Sequence, residues 1–575
     1  MLAALAVGAA ACGGDDDGGG GGGTDDGAVG EGNTTTTAPV AEPTRGGTLV
    51  YAVEADTQNP WLPSAMVCAA ACHSTVGRTI YEPLVMLGSD GQPYPYLLES
   101  FSSNDDFTVW TLVVRQGIKF HDGTDLNADA VAFNLINQSQ SVLVGPAVQP
   151  IADNGIVSDG AFTVTVTMDT PWPAFPTYLN SQLGYMGSPA WIQAATAAND
   201  AGDPSLLTQP VGTGPFKYES YESGDNGRLT ATRFEDYWRG DGPNSVTGEG
   251  LPYLDAIEVR FTPDSSARSQ ALLAGDIDML QTSNGIEIDD LEGQDGVAVT
   301  ILDNPFEIET TYTLINNMPE VNGAPNPMAD IRVRRALAFA TDNQVLSDAR
   351  TAGRFPPANG PFPPGVIGHL DDSGSPAYDP DAARALVDEV AAEQGSPVAI
   401  SYKTTNDPFN LTTAELLQQM WEDVGFQVSI DQIPQGEFIG QALAGNFQAF
   451  GWRNHAGVDP DQQFVWWSST TTQGIALNFG RIISDDVDSL LNTIRTATDP
   501  DERQGAAEDL NRLFAENVFD AWNNWVYWGL AHADNVFNVA GESIPDAPEG
   551  VRAINMGANL PGIIMPAEIF ESPAD

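Results

Sequence analysis

Basic side chains are scarce in this chain: 23 lysines and arginines stand against 78 aspartates and glutamates in 575 residues, a formal charge of −55. So negative a surface repels phosphate backbones and anionic lipid, which argues against nucleic-acid binding; its plain reading is solubility in a salty medium. Cysteine is scarcer still, three in all, and the five histidines (His73, His121, His369, His455 and His532) are scattered with no pair at metal-ligand spacing. Neither residue type offers a metal site. The sequence carries no Walker phosphate loop, no His-Glu-x-x-His zinc motif, no Gly-x-Ser-x-Gly elbow and no dinucleotide glycine motif between a strand and a helix. It also has no apolar run long enough to cross a bilayer. No catalytic residue, metal or cofactor is therefore expected.

What is present is the material of a multidomain globular protein: 42% hydrophobic and 9% aromatic residues on a chain too long for one core. The first segment is the exception. Residues 2–11, LAALAVGAAA, lead to Cys12 and a Gly/Asp-rich run, which resembles the end of a bacterial lipoprotein signal. That likeness implies a lipid on Cys12, with 1–12 as the signal remnant; the alternative is a Gly-rich disordered N-terminus. Residues 13–44 hold almost nothing apolar and read as a disordered tether. An anchored, outward-facing body follows, so Cys68 and Cys72 (VCAAAC) are expected to form a disulfide in an oxidising exterior, the alternative being two buried thiols.

From Arg45 onward strand-like and helix-like segments alternate. GGTLVYAVEA and FTVWTLVVRQGIKF read as strands; 329–342, 379–395 and 413–425 read as helices. The second of these has Asp379 as N-cap, Pro380 at the first helical position and Gly395 as stop, and the third leads through Gly425 into the strand FQVSI. Helix, glycine and strand recurring in this way predict an α/β body with parallel sheets. In RQGIKFHDGTDLNADAVAFN (115–134), Asp122-Gly123 reads as a turn and Asn127 as a helix N-cap with Asp129 in the first turn. His121 is then expected to hydrogen-bond across a structural corner.

The stretch PYPYLLESFSSNDDFTVWTLVVRQGIKFHDGTDLNADAV (93–131) resembles the signature region of the family 5 extracellular solute-binding proteins, the peptide- and nickel-type receptors of ABC importers. GGTL (46–49), IYEPLV (80–85), VGTGPFKY (211–218), FEDYWRG (234–240), ARSQALLAGDIDM (267–279), MADIRVRRALAFATD (328–342), YDPDAARALV (378–387) and GNFQAFGWRNHAGVDPD (445–461) follow in family order. The resemblance implies a two-lobed, type II periplasmic-binding-protein-like α/β fold with an extra inserted domain and a hinge of two chain crossings. Lobe I is expected over 45–90, 170–311 and 521–575, the inserted subdomain over 91–169 and lobe II over 312–520. A monomer is expected, outside the cytoplasm and membrane-anchored, delivering a peptide or similar small solute to a permease and ATPase complex.

In peptide-binding members an aspartate after the Gly-Trp strand pairs with the ligand's amino group; here Gly451-Trp452-Arg453-Asn454-His455 puts His455 at or near that place, and an imidazole does not replace a carboxylate there. The arginine that peptide binders can carry in the loop before the Trp-containing helix is missing from TTNDPFN (404–410), where Lys403 is the only nearby cation. The likeness therefore disfavours dipeptides against oligopeptides held by backbone bonds or a sugar-like ligand stacked on aromatics. Trp452 is the leading ligand contact, its alternative being a core position on a strand. Asn454, His455, Asp459, Asp56, Thr57 and Asn316 are further candidates. The competing functions are a secreted hydrolase using His121, Asp122 or another buried carboxylate and a surface-adhesion or envelope-scaffold lipoprotein.

Overall fold

The computed structural model describes residues 42–56, 61–66, 72–224, 226–434, 437–472, 476–557 and 560–572. Cys12, nearly all of the expected tether, Thr57 and Cys68 lie outside the described residues. Cys72 is disulfide-bonded.

Three larger sheets arise in turn as the chain proceeds. Strand β1 (Thr48–Val53) is the middle of a seven-stranded sheet; TLVYAV is rich in β-branched and aromatic residues, and Leu49, Tyr51 and Val53 enter one core. The chain then builds a four-stranded antiparallel sheet from β2 (Leu98–Ser103), β3 (Val109–Val114), β4 (Ile151–Ser158) and β5 (Thr163–Met168), in the order β2-β3-β5-β4. In β3 the period of two is plain: Trp110, Leu112 and Val114 share a core with Val131 and Leu135 of helix α1 (Ala128–Ser139). Strands β6 (Phe216–Glu222), β7 (Arg228–Arg233), β8 (Ala256–Phe261), β9 (Met279–Thr282) and β10 (Val297–Leu302) rejoin the first sheet. Residues 303–308 cross to a five-stranded sheet made of β11 (Glu309–Ile315), β12 (Ala399–Thr405), β13 (Gln427–Ile433), β14 (Ala449–His455) and β15 (Asp520–Val526), ordered β13-β12-β14-β11-β15. Tyr527 alone crosses back to β16 (Trp528–Ala533), which completes the first sheet as β10-β16-β9-β1-β8-β7-β6.

The body is thus two-lobed α/β, with the crossings at 303–308 and Tyr527 side by side, because β11 pairs β15 and β10 pairs β16. Two expectations are corrected. Sheet membership moves the lobe limits: Glu309–Thr311 and Ala521–Val526 belong to the second lobe's sheet, so the crossings fall a few residues from 311/312 and 520/521. The sheets are also mixed rather than parallel. Parallel pairing is confined to β1 with β8 and β9 and to β12 with β13 and β14; hairpins, the returning strands β15 and β16, and the pairing of β11 with β14 make the other pairs of these sheets antiparallel.

Helices α2 (Gly285–Glu292), α3 (Ile331–Ala340), α4 (Asn343–Thr351), α5 (Pro380–Gln394) and α6 (Pro408–Asp423) cover the sheets. Helix α5 has the predicted ends: the Asp379 carboxylate accepts from Ala382 N, and Gly395 at φ +70° closes it. Helix α6 starts five residues earlier than predicted, because Asp407 caps it and Pro408 opens it.

His121 holds a corner. The backbone N–H of Gly212 donates to its Nδ1 at 3.3 Å, which leaves the proton on Nε2 to donate to Gly214 O at 2.9 Å. Asp122 accepts from Ser188 Oγ at 2.5 Å and from Thr124, and Asn127 caps α1 through Ala130 N. The corner thereby docks on residues 211–218, and both its reactive side chains are consumed. Burial pushes the imidazole down to about 4, so it is neutral when folded. His121→Ala is expected to cost about 1–3 kcal/mol of stability near neutral pH. It should also remove the loss of stability that a buried neutral histidine causes as pH falls from 6.5 to about 4. Urea titrations at several pH values check both; an Ala variant that keeps the acid-side slope would contradict the assignment.

Candidate functional site

The two lobes face each other across the start of β11 and the end of β14, which pair Glu309 with His455. Strand alternation gives β14 two characters. Phe450, Trp452 and Asn454 look one way, into the second lobe. The Trp452 indole stacks on Phe438 of helix α7 (Phe438–Ala444) at 4.4 Å and 7°, with Phe479 and Phe450 edge-on at 5.0 and 5.5 Å. Asn454 Nδ2 donates to Gln463 Oε1 at 2.8 Å. Gly451, Arg453 and the backbone of His455 mark the other face; the His455 side chain is outside what the structure describes.

Arg453 is the residue that spans the cleft. Its Nη1 donates to Ser283 Oγ at 3.0 Å and its Nη2 to Glu54 Oε1 at 3.2 Å, both in the first lobe, while Glu309 Oε2 lies 3.7 Å away. Glu54 directly follows β1 and Ser283 follows β9, so neighbouring strand ends of the first sheet supply both partners. The guanidinium also lies 5.1 Å over the Trp528 ring, and Trp528 Nε1 donates to Glu309 Oε2 at 2.9 Å. Glu309 and Trp528 are the first strand residues after the two crossings, so this triad sits on the hinge itself. Burial opposes charge on Arg453, but Glu309 and Glu54 more than offset it and raise its pKa. Burial raises the Glu309 carboxyl, with Arg453 and Trp528 working against that.

A second guanidinium comes from α4. Arg350 lies 4.4 Å over the ring of Phe409, inside the TTNDPFN stretch. It makes no ion pair or hydrogen bond with any described residue. Burial pulls its pKa down to about 10, and the nearby charge of Arg453 adds to the effect. Lys403, the cation singled out from sequence, is engaged by Asp431. Asp407 is engaged too, accepting from Asn410 N at 2.9 Å, Asn410 Nδ2 at 2.8 Å and Thr405 Oγ1 at 2.5 Å.

The remaining candidates make contacts of their own within the protein. Asp56 accepts from Tyr221 OH at 2.8 Å and Gly224 N at 2.7 Å, tying the end of β1 to the β6–β7 turn. Asp459 caps the turn 460–463, and Nη2 of Arg503 donates to both its carboxylate oxygens at 2.6 and 2.8 Å. Asn316 follows the far end of β11 and donates to Gly445 O at 3.0 Å; the β11 register puts it a full strand length from Glu309. Trp452 is half-buried, its indole packed in the aromatic cluster against the second lobe's core. Arg453, Arg350, Glu54, Glu309 and Trp528 were missed from sequence. The alternation of β14 was the one available signal: the residue sharing a face with His455 is Arg453, not Trp452 or Asn454.

The lobes also meet on either side of Arg453. Helix α2 of the first lobe approaches α4 so closely that a Cβ on Gly285 would lie 2.8 Å from Thr351 Cα, and Arg354 pairs with Asp289 and Glu292. On the other flank, Asp461 of the second lobe accepts from Trp172 Nε1 at 2.7 Å and Tyr178 OH at 3.0 Å, and pairs with Arg495 at 2.7 Å. Among the described residues no cluster of three or more His, Cys, Asp or Glu is arranged to hold a metal.

Residues 92–475 match the model of the bacterial extracellular solute-binding proteins, family 5 Middle. The chain belongs to this family. It is 25% identical over 494 residues to the dipeptide-binding protein of Escherichia coli (strain K12), covering 81% of this chain and 86% of that protein. To the di/tripeptide-binding protein 2 of Pseudomonas aeruginosa it is 26% identical over 446 residues, 74% of this chain and 79% of the relative. Among solved structures, the ABC transporter-associated periplasmic binding protein DppA of Helicobacter pylori, in complex with the peptide STSA, superposes with a TM-score of 0.77 at 20% identity over 92% of this chain and 98% of that one. The dipeptide-binding protein of Pseudoalteromonas in complex with Met-Leu gives 0.76 at 19% over 92% and 100%. These structural likenesses establish the two-lobed fold.

Proposed function

We propose that this solute-binding protein is the extracytoplasmic receptor of an ABC importer, capturing a peptide or similar small solute by lobe closure and presenting it to a permease. The observation that carries the reading is Arg453, a second-lobe side chain bonded to the first lobe at the hinge. A ligand entering there changes contacts on both lobes at once, and such differential contact is what shifts a hinge equilibrium. Among the described side chains, the charged groups of this site are guanidiniums and the carboxylates that hold one of them, which suits recognition of a polar solute. His121 and Asp122, the residues of the hydrolase alternative, are locked in the corner described above. In this reading Cys12 carries the lipid, residues 13–44 tether a monomeric body to the membrane, and Cys68 is the partner of Cys72.

A ligand panel tests the reading: di- to pentapeptides, N-acylated peptides, oligosaccharides, amines and metal chelates, read by thermal shift. A true ligand at 100 times its Kd should stabilise the protein by about 2.7 kcal/mol. A panel in which nothing shifts the unfolding transition, or in which a member is turned over, would remove the receptor reading.

A further inference from the structure

Arg350 is a half-buried guanidinium stacked on Phe409 with no anionic or carbonyl partner among the described residues, although the carboxylate near it, Asp407, is fully engaged by Asn410 and Thr405. The natural complement of a half-buried cation without a protein partner is an anion. By contrast, the two carboxylates at the hinge, Glu54 and Glu309, are already served by the chain's own Arg453. A ligand ammonium entering there would find both carboxylates already paired. Lys403 is unavailable because Asp431 holds it.

We infer that Arg350 and Phe409 form the anion end of the ligand site, that Arg453 takes the place of a ligand's ammonium, and that the solute is therefore a carboxylate without a free amino group. This rests on the receptor reading and narrows it to a substrate class. A planar guanidinium can receive a carboxylate through two parallel N–H bonds, a geometry that lysine does not offer. Free-amino peptides are disfavoured because their ammonium has to displace Arg453 from Glu54 and Glu309 or remain unpaired in a partly desolvated cleft.

Three probes of one size decide it by titration calorimetry: N-acetyl-dialanine, dialanine and N-acetyl-dialanine amide. The acetylated acid is expected to bind, dialanine about 10-fold or more weaker, and the amide weakest. Arg350→Gln should weaken the acetylated acid about 10- to 100-fold, the range for a lost charge-assisted bond, with Arg350→Lys between the two. Arg453→Ala should shift preference toward dialanine by freeing Glu54 and Glu309. Unchanged unfolding midpoints of the variants would show that folding is not the cause. Tighter wild-type binding of dialanine, or an Arg350→Gln variant with undiminished affinity for the acetylated acid, would overturn the inference. If none of the three binds while another panel member stabilises the protein, the inference fails and the receptor reading stands; if nothing stabilises it, both fail.

Discussion

Asp461→Ala is expected to lower the free energy of unfolding by about 3–5 kcal/mol, the range for removing one partner of a buried ion pair. Asp461 is fully buried and Arg495 nearly so, with Nε to Oδ1 at 2.7 Å. The same carboxylate receives Trp172 and Tyr178, and Arg495 also donates to Ala147 O at 3.1 Å and lies 3.5 Å over Phe464. Loss of the Asp461 carboxylate therefore strands a guanidinium and the Trp172 indole N–H in a low-dielectric core, while Tyr178 OH keeps the backbone carbonyl of residue 461 at 3.0 Å. The control is the double variant Asp461→Leu with Arg495→Met: replacing a buried pair by apolar groups of similar size is often neutral, so most of the stability should return. Urea unfolding of wild type, both single variants and the double variant measures the coupling. A double variant as unstable as the sum of the singles would mean that packing, not the uncompensated charge, sets the cost. Because residues 147–178 flank the four-stranded sheet while 461 and 495 belong to the second lobe, the single variant is also expected to weaken ligand binding by lowering the closed population.

How much of this was legible in the sequence depends on how local each interaction is. The ends of α5 were readable because Asp379, Pro380 and Gly395 act within a turn of the helix they bound. The His121 corner was readable as a structural feature because the turn and the cap lie within six residues of it. Its docking partners, Gly212 and Gly214, were hidden about 90 residues away. Asp461 carried no signal, since nothing nearby announces that Trp172, 289 residues earlier, donates to it. Sheet composition failed for the same reason. Whether β12 lies beside β14 or β11 is a matter of long-range pairing that a helix–glycine–strand rhythm does not encode, so the parallel expectation held only around β1 and β12. At the ligand site, the Gly-Trp strand was found by likeness, yet the likeness drew attention to Trp452, whose face the structure assigns to an aromatic cluster. Arg350 had no signal at all, because it reaches the TTNDPFN segment from a helix more than 50 residues upstream.

The second large effect concerns Arg239, a fully buried guanidinium amid acids. Its Nη1 donates to Glu542 at 3.1 Å, and its Nη2 donates to Glu249 at 2.6 Å, Glu568 at 3.1 Å and Ser543 at 2.7 Å. Glu82 lies in the same core, accepting from Tyr237 OH at 2.5 Å and Trp238 Nε1 at 2.9 Å. Burial pushes the Glu82 carboxyl up to about 8, although those hydrogen bonds and the Arg239 charge work against it, and burial raises Glu542 as well. A carboxyl whose pKa is raised on folding binds its proton more tightly in the native state. Stability from Glu82 is therefore greatest below 4.5 and is lost as pH climbs toward about 8. Arg239→Met removes the cation that offsets this loss, so its cost should depend on pH. It should reach about 3–5 kcal/mol at pH 8, where the acids are pressed to ionise without a partner, and fall well below that at pH 5, where protonation relieves them. Glu82→Gln should flatten the wild-type decline between these pH values and soften the Arg239→Met penalty at the alkaline end, because the two changes act on one network. An Arg239→Met cost equal at pH 5 and pH 8 would mean that Arg239 contributes through packing and its bond to Ser543 rather than by holding buried carboxylates in their charged form.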